Sequence, residues 1–270
     1  MMESASKNTS PVILSIAGLD PSGGAGTIAD IKTFAAFGCF GTAVITSLTF
    51  QNTVGVFGSA DQTGENVKAQ IEPVISDFTV SAIKTGMLPS AEVIVEVARL
   101  ILENELPAPV VDPVVRSTSG YDLIDNSALD ALIKYLFPIS QIITPNIPEV
   151  ERITGLQIKD EKDIENAARA MQELGAQNVL IKGGHLHNSK LANDYLLEGG
   201  ELRVFSEPWI ETKATHGTGC TLSSAIAANL ALGKNLQESV AIAKKFVTEC
   251  IRHSPLIGHG HSPLNHLVKL

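Results

Sequence analysis

Val12-Ile13-Leu14-Ser15-Ile16-Ala17 is a short, almost entirely apolar run of the kind found in buried parallel strands. A glycine-rich turn over residues 18–26 follows it, and a helical pattern of apolar residues then covers 27–37. The order predicts a strand, a loop and a helix. This is the unit from which parallel sheets covered by helices are built.

The same unit repeats along the chain. Further strand-like runs lie at 44–50, 82–85, 110–112, 141–144 and 179–181. Helical patterns lie at 91–104, 127–136, 161–174, 217–232 and 236–252. Two runs at 192–197 and 201–205 flank Glu198-Gly199-Gly200 and indicate an antiparallel hairpin. We therefore predict an α/β fold with three layers, α/β/α, a mainly parallel central sheet and a small antiparallel hairpin.

Length, composition and charge narrow the classes of function. The chain has 270 residues, of which 44% are hydrophobic, and a net charge of -9. This is enough for one large core, so we expect a single domain over 11–270 after a disordered tail at 1–10. The acidic balance argues against nucleic acid or an acidic membrane as a partner, and favours a small-molecule ligand.

The sequence also indicates the compartment. No segment offers the roughly 18 uncharged apolar residues that a membrane span requires. The three cysteines are widely spaced and odd in number, which suggests neither a disulfide framework nor a zinc site. We expect a cytoplasmic protein with reduced thiols.

The turn Thr215-His216-Gly217-Thr218-Gly219-Cys220 stands directly before an apolar helical run. The first N–H groups of a helix have no intrahelical partner, and glycines allow phosphate oxygens to approach them. Cys220 would lie in the first turn, where the helix dipole favours the thiolate. The motif thus predicts an anion site with a base beside it; the alternative is a plain connection in which Cys220 is a small buried hydrophobe.

The loop over 18–26 is glycine-rich but matches neither common nucleotide motif, since it has no Gly-Lys-Ser/Thr ending and no Gly-x-Gly-x-x-Gly spacing. In a functional interpretation, Gly23 and Gly24 bring the backbone close to a flat or phosphorylated ligand, and Asp30 on the next helix is a polar contact. The alternative is a tight turn between strand and helix, with Asp30 in solvent.

Charged residues follow three successive strands, where ligands bind in such sheets. Asp112 and Glu149 would jointly hold Mg²⁺ for a bound nucleotide, and Lys182 would reach phosphate oxygens. The plain alternatives are a helix N-terminus at Glu149 and a solvated lysine. His185 and His216 are possible acids or bases, although a lone loop histidine is more often structural.

Taken together, these segments resemble the hydroxymethylpyrimidine and phosphomethylpyrimidine kinases of thiamine biosynthesis, members of the ribokinase-like superfamily. The resemblance covers about 11–267, with the motifs in family order. They are Ala17-Gly18-Leu19-Asp20-Pro21-Ser22-Gly23-Gly24-Ala25-Gly26 with Ala29-Asp30-Ile31-Lys32, Val44-Ile45-Thr46-Ser47-Leu48 with Gln51-Asn52-Thr53, Lys84-Thr85-Gly86-Met87-Leu88, Asp112-Pro113-Val114 with Ser119-Gly120, Thr144-Pro145-Asn146 with Glu149, Lys182-Gly183-Gly184-His185, His216-Gly217-Thr218-Gly219-Cys220, and Gly258-His259-Gly260 with Pro263-Leu264-Asn265-His266.

The resemblance implies a role for each matching residue. The aminopyrimidine pocket would consist of Gly18, Asp30, Gln51, Met87 and Val114, with Asp30 and Gln51 bonded to the ring edge. The ATP contacts would be Asn146, Lys182, Thr215 and Gly219, and the metal site would be Asp112 and Glu149. The catalytic group would be Cys220 with Lys182 and the anion hole of Gly217, Thr218 and Gly219.

The resemblance implies an ATP-dependent kinase that uses Mg²⁺ and phosphorylates 4-amino-5-hydroxymethyl-2-methylpyrimidine and then its monophosphate. It also implies a homodimer, and the end near Leu270 predicts that no second enzyme of the pathway is fused. Val115, Arg116 and Ala214 depart from the family pattern and bear on substrate preference. The alternatives are a pyridoxal kinase on the same scaffold and a catalytically silent nucleotide or vitamer sensor.

Overall fold

The computed structural model describes residues 10–115, 123–184 and 190–268. These residues contain a nine-stranded sheet with strands in the order β3-β2-β1-β4-β5-β6-β7-β8-β9. The strands are β1 (Val12–Leu19), β2 (Phe40–Gln51), β3 (Val56–Asp61), β4 (Val80–Thr85), β5 (Val110–Val111), β6 (Ile142–Ile143), β7 (Val179–Lys182), β8 (Leu191–Glu198) and β9 (Glu201–Pro208).

The central strands β2, β1, β4, β5, β6 and β7 are parallel. Antiparallel strands close both edges, with β3 against β2 and the hairpin of β8 and β9 against β7. The predicted mainly parallel sheet and its hairpin are confirmed. β3, at the opposite edge, is an element that the sequence analysis did not predict.

Helices cover both faces of the sheet. They are α1 (Gly26–Ala36), α2 (Gly64–Asp77), α3 (Ala91–Glu103), α4 (Asn126–Ala131), α5 (Ile147–Thr154), α6 (Glu161–Glu173), α7 (Thr218–Ala231) and α8 (Leu236–Arg252). One apolar cluster packs the five helices α2, α3, α4, α5 and α6 against one face of the sheet. A second cluster packs α1, α7 and α8 against the other face. Residues of β1 alternate between them, with Leu14 in the first and Ile13 in the second. The predicted three layers are confirmed.

Two helices differ from the prediction. The segment predicted as one helix over 127–136 is α4 followed by a π-helical turn at Leu132–Leu136. α2 was not predicted at all, because Pro73 lies inside it and the buried apolar positions are few. Thr63 starts α2 by accepting a hydrogen bond from the N–H of Asn66.

Two domain-level predictions stay predictions. Most of the disordered tail expected at 1–10 lies outside the described residues, and the single domain over 11–270 is tested by no observation. Among the described residues, no helix has both the length and the apolar character needed to cross a membrane.

Candidate active site

A cavity of about 970 Å³ opens where the carboxyl ends of the parallel strands meet. Ligands bind at this edge in sheets of this type, because the loops that leave successive strands converge there. Nearly all the residues selected from the sequence line it. They are Gly18, Gln51, Met87, Asp112, Val114, Asn146, Glu149, Lys182, Thr215, Gly217, Thr218, Gly219 and Cys220.

The turn before α7 forms one wall of the cavity. Gly217 is the N-cap residue, with φ +84, and the helix begins at Thr218. The N–H groups of this first turn are the unpaired donors of a helix start. A Cβ built at Gly219 would lie 3.1 Å from Lys182 Nζ, so the turn faces the lysine directly. The arrangement agrees with the predicted anion site, which stays a prediction; residues 215–220 are called the anion turn below.

The glycine-rich loop after β1 packs directly against this turn. The Asp20 carboxylate accepts hydrogen bonds from the N–H groups of Gly24 and Ala25, and its Oδ2 lies 2.7 Å from His216 Nε2. A Cβ at Gly217 would lie 1.8 Å from the Gly24 carbonyl oxygen. The two loops are therefore in van der Waals contact.

This contact corrects one expectation and bears on a second. Gly24 was expected to bring backbone close to a ligand, but it packs against the His216 ring instead, and a Cβ there would lie 2.3 Å from that ring. Of the glycines in this loop, Gly18 and Gly26 line the cavity. His216 borders the cavity, and its Nε2 lies 2.7 Å from Oδ2 of the buried Asp20, which agrees with the structural alternative for this histidine.

Acidic and basic groups meet at the centre of the cavity. Lys182 Nζ lies 2.9 Å from Asp112 Oδ1 and 4.0 Å from Glu149 Oε2. Asn146 and Glu149 form a capping box at the start of α5, which fixes the glutamate. Burial raises the pKa of Glu149 above its ordinary value, although the positive charge of Lys182 acts in the opposite direction.

The carboxylates of Asp112 and Glu149 fit a nucleotide-bound magnesium ion. Mg²⁺ in kinases is held by one or two carboxylates, phosphate oxygens and water, and so needs no complete protein cage. In the described parts of the chain, no cluster of three or more His, Cys, Asp or Glu side chains suited to a metal is found.

Cys220 lies in the first turn of α7, as predicted, but its ionisation does not match the expectation. Burial raises the pKa of the thiol to about 11, and the Asp30 and Asp112 carboxylates add to this effect. The positive charge of Lys84 and the N–H of Gly26 oppose it. Burial therefore outweighs the positive charge of Lys84, and the pKa of the thiol lies above its ordinary value.

Asp30 occupies a different place from the one predicted. It is fully buried below the cavity, outside the lining, and both of its oxygens accept hydrogen bonds from Lys84 Nζ, at 3.0 and 2.9 Å. Ser15 and Ser224 donate to the same carboxylate. A direct bond from Asp30 to a ring ligand does not fit this position, because each oxygen already has two donors.

Lys84 is the functional candidate that the sequence analysis missed. It borders the cavity, yet it is completely buried within β4. The signal was a lysine inside the apolar strand Val80–Thr85. A buried ammonium needs a negative partner, and the partner was not identifiable in sequence because Asp30 lies 54 residues away.

The remaining predicted acceptor residues form the opposite wall. A Cβ at Gly18 would lie 3.2 Å from Met87 Sδ, so the absence of a side chain there leaves space beside the methionine. Gln51 donates from Nε2 to Thr49 Oγ1 over 2.7 Å, which fixes the orientation of its amide. Val114 lines the same cavity.

A further part of the lining was not predicted. It comes from the last residue of β9, the segment after it and one face of α8, and consists of Pro208, Trp209, Ile210, Thr212, Lys244, Val247, Thr248 and Ile251. A single tryptophan just before the anion turn was the available signal. His185, Arg116 and the Ser119-Gly120 motif lie outside the described residues.

The C-terminal motif closes one side of the cavity. Thr53, after β2, accepts hydrogen bonds at Oγ1 from the N–H groups of His259 and Gly260. A Cβ at Gly260 would lie 2.0 Å from the Thr53 carbonyl oxygen. His261 Nδ1 lies 3.0 Å from Thr215 Oγ1, which ties this segment to the anion turn.

Comparison with known proteins agrees with this geometry. A family model described as phosphomethylpyrimidine kinase matches residues 20–265. The hydroxymethylpyrimidine/phosphomethylpyrimidine kinase of Haemophilus influenzae is 45% identical over 257 residues, 94% of this chain and 96% of the relative. A thiamine biosynthesis bifunctional protein of Geobacter sulfurreducens is 46% identical over 256 residues, 95% of this chain, but the match spans only 52% of that relative.

Solved structures give the same fold. The phosphomethylpyrimidine kinase of Clostridium difficile 630 is 44% identical, with a TM-score of 0.79, over 89% of this chain and 99% of its own. The pyridoxal kinase of Staphylococcus aureus, in complex with AMP-PCP and pyridoxal, is 30% identical, with a TM-score of 0.88, over 96% of this chain and 94% of its own. The fold is therefore shared by a phosphomethylpyrimidine kinase and a pyridoxal kinase.

Proposed function

We propose that this chain, which belongs to the phosphomethylpyrimidine kinase family, transfers the γ-phosphoryl group of ATP to 4-amino-5-hydroxymethyl-2-methylpyrimidine. In a second step it transfers the same group to the monophosphate of that pyrimidine. It is a phosphotransferase, like its named relatives. The observation that carries the proposal is the contact between the Gly217–Cys220 turn and Lys182 at the centre of one cavity.

The donor side of the cavity suits a nucleotide triphosphate. The first N–H groups of α7 and the Lys182 ammonium are donors for phosphate oxygens. Asn146 and Thr215 border the same space and are the further nucleotide contacts in this proposal. The pyridoxal kinase of the same fold was solved with AMP-PCP, which supports ATP as the donor.

Asp112 and Glu149 would hold the magnesium ion that accompanies ATP. When bound, the ion supplies positive charge to the phosphate oxygens. The role of Lys182 is to neutralise the same oxygens, and its pairing with Asp112 keeps the ammonium at the centre of the cavity.

The first transfer requires removal of a proton from an alcohol. The hydroxyl oxygen bonds to the γ-phosphorus while the bond to the bridging oxygen of ADP breaks, and Cys220 as thiolate takes the hydroxyl proton. The amides of Gly217, Thr218 and Gly219 stabilise the negative charge on the transferring group. In the second transfer the acceptor is a phosphate oxygen that is already ionised, so alignment and charge neutralisation are sufficient.

Gln51 and Met87 would select the ring, with Gly18 and Val114 completing the acceptor wall. An amide at position 51 offers one donor and one acceptor to a ring edge. The competing candidate is pyridoxal kinase activity, which the Staphylococcus aureus structure favours by its TM-score of 0.88.

The experiment is a product assay with purified protein, Mg-ATP and three acceptors tested separately: the pyrimidine alcohol, its monophosphate and pyridoxal. We expect mass spectrometry to detect the monophosphate and then the diphosphate of the pyrimidine. Absence of both products would overturn the proposal, and phosphorylation of pyridoxal alone would establish the competing activity. A homodimer and a cytoplasmic location remain predictions, of which sedimentation of the purified protein tests the first.

A further inference from the structure

The ion pair between Lys84 and Asp30 is completely buried between the sheet and α1. Both side chains are 0% exposed, and Lys84 Nζ lies 2.9 Å from Asp30 Oδ2. Removing two charges from water costs several kcal/mol per ion, and apolar residues of similar volume are often at least as stabilising. The pair is therefore poorly explained by stability alone.

The pair lies one helical turn below Cys220. Ser224 follows Cys220 by four residues on α7, and residues with this spacing share a helix face. The Ser224 hydroxyl donates to Asp30 Oδ1 over 2.6 Å. From the other side, Lys84 and Cys220 border the same cavity. Asp30 is thus anchored directly to the helix that carries the thiol.

Four charged groups act on the sulfur of Cys220, each from a different element. Lys84 on β4 and Lys182 on β7 are positive, whereas Asp30 on α1 and Asp112 after β5 are negative. Of these charges Lys84 has the largest effect on Cys220, and it lowers the pKa of the thiol. Asp30 itself keeps Lys84 protonated, since its carboxylate raises the pKa of the ammonium.

We propose that Lys84 and Asp30 are a positioning pair for Cys220, in which Lys84 supplies the fixed positive charge that stabilises the thiolate needed to accept the hydroxyl proton. Asp30 holds the ammonium in place, and its negative charge partly offsets the effect of Lys84 on the thiol. Ser15 and Ser224 fix the carboxylate by donating hydrogen bonds to it. The inference rests on the proposed function of Cys220. It assigns Lys84 a role that acts through the thiol, without contact to the substrate.

The test measures the reactivity of Cys220 without any turnover. Purified protein, free of ATP, metal and acceptor, is treated with iodoacetamide at several pH values between 6 and 9. Peptide mass spectrometry then gives the alkylation rate of Cys220 alone, because Cys39 and Cys250 are buried and lie on separate peptides. A failure of the kinase assay and a failure of this test are therefore distinguishable.

Both variants of the pair should slow alkylation, Lys84→Met more than Asp30→Asn. A charge near a buried group shifts its pKa by about one unit or more, which is about tenfold in thiolate fraction. We expect Lys84→Met to slow alkylation about tenfold at pH 7, because the thiolate loses its positive neighbour. We expect Asp30→Asn to slow it less than Lys84→Met does, because the ammonium loses the carboxylate that keeps it protonated while a negative charge is also removed from beside the sulfur.

Lys244→Met is the matched control, because it also breaks a buried ion pair in the cavity wall. Lys244 Nζ lies 2.8 Å from Asp194 Oδ2, and neither residue is among the charges that act on Cys220. This variant should leave the alkylation profile unchanged. A purely structural role of the Lys84–Asp30 pair would loosen the site and accelerate alkylation in both variants of that pair. That result, or equal rates for Lys84→Met and the unmodified protein, would overturn the proposal.

Discussion

Cys220 shows how burial and charge compete at one side chain. A helix N-terminus alone favours the thiolate, but the surroundings of Cys220 remove water and place two carboxylates nearby, and together they raise the pKa to about 11. The Lys84 ammonium and the Gly26 N–H offset part of this.

Cys220→Ala should separate chemistry from binding. The smaller side chain leaves the backbone amides in place, so folding and ATP affinity should persist. Phosphorylation of the alcohol should fall by about 10²–10⁴-fold, the usual contribution of a positioned general base, whereas phosphorylation of the monophosphate should fall far less. Rates for the two acceptors, measured separately, test the difference, with the buried Cys39→Ala as control.

Equal falls for both acceptors would mean that Cys220→Ala damages the anion hole. No fall for either acceptor would make Cys220 a packing residue. Either result contradicts its assignment as the base.

Asp112→Asn and Glu149→Gln test the proposed metal site at the residue scale. The amides remove charge with little change in shape, so use of Mg-ATP should weaken while binding of the metal-free pyrimidine stays nearly unchanged. Calorimetric titration with the pyrimidine alone is the deciding measurement. A large loss of affinity there would assign these residues to the acceptor pocket instead.

At the scale of elements, the site depends on two loops that touch without side chains between them. Gly217 has φ +84, and a Cβ there would lie 1.8 Å from the Gly24 carbonyl oxygen. Alanine at this position must therefore both adopt a left-handed conformation and displace the neighbouring loop. The anion turn and the loop after β1 form one structural unit.

Gly217→Ala should lower the free energy of unfolding more than the matched substitution Gly233→Ala does. Gly233 has nearly the same φ, +81, but nothing lies within 4 Å of its added Cβ, so it reports the backbone strain alone, about 1–2 kcal/mol. The excess loss in Gly217→Ala is the cost of displacing the loop. Urea unfolding of both variants gives the comparison. Equal losses would show that the two loops are not coupled.

The elements that the sequence predicted correctly are those whose signals are local. Apolar runs marked the parallel strands, and their carboxyl ends brought Asp112, Lys182 and the anion turn together as expected. β3 was missed because it is a short, mostly exposed edge strand. α2 was missed because a proline such as Pro73 usually ends or kinks a helix. In the structure Pro73 nevertheless lies inside α2, where tertiary contacts of the buried side chains hold the helix together.

The chemistry of the site was harder to predict than its location. The Lys84–Asp30 pair joins β4 to α1 across 54 residues, and no local pattern reveals it. The raised pKa of Cys220 likewise depends on burial by groups from several elements. Sequence identified which residues meet, whereas their charge states follow from the packed structure.

At the scale of the whole molecule, the C-terminal segment closes the fold through His266. This side chain is 5% exposed, and its Nε2 lies 3.0 Å from Thr221 Oγ1 on α7. Burial, assisted by the positive charge of Lys32, lowers the pKa of His266 to about 4. The folded state therefore holds this histidine neutral at pH values where an unfolded chain would protonate it.

The stability of the protein should accordingly depend on acid through His266. The pKa of His266 in the folded protein lies below its ordinary value of 6.5. The contribution of the neutral side chain to the free energy of unfolding is therefore complete above about pH 6.5, and it is lost progressively as the pH falls towards 4. The full effect is on the order of 3 kcal/mol. Chemical denaturation between pH 7 and 4 should give a shallower pH slope for His266→Gln, while the exposed His253→Gln keeps the original slope. Identical slopes in all three proteins would contradict this account.

The central claim is that this cavity selects the pyrimidine alcohol as its acceptor. A site that hydrogen-bonds a particular ring edge rejects a different ring by leaving its own buried polar groups unpaired, and Gln51 is the residue assigned this task. The most direct measurement is competition between the pyrimidine alcohol and pyridoxal in one vessel with Mg-ATP, which gives the ratio of their kcat/KM values. We predict a ratio of at least about 10² in favour of the pyrimidine. Equal or faster phosphorylation of pyridoxal would contradict the claim.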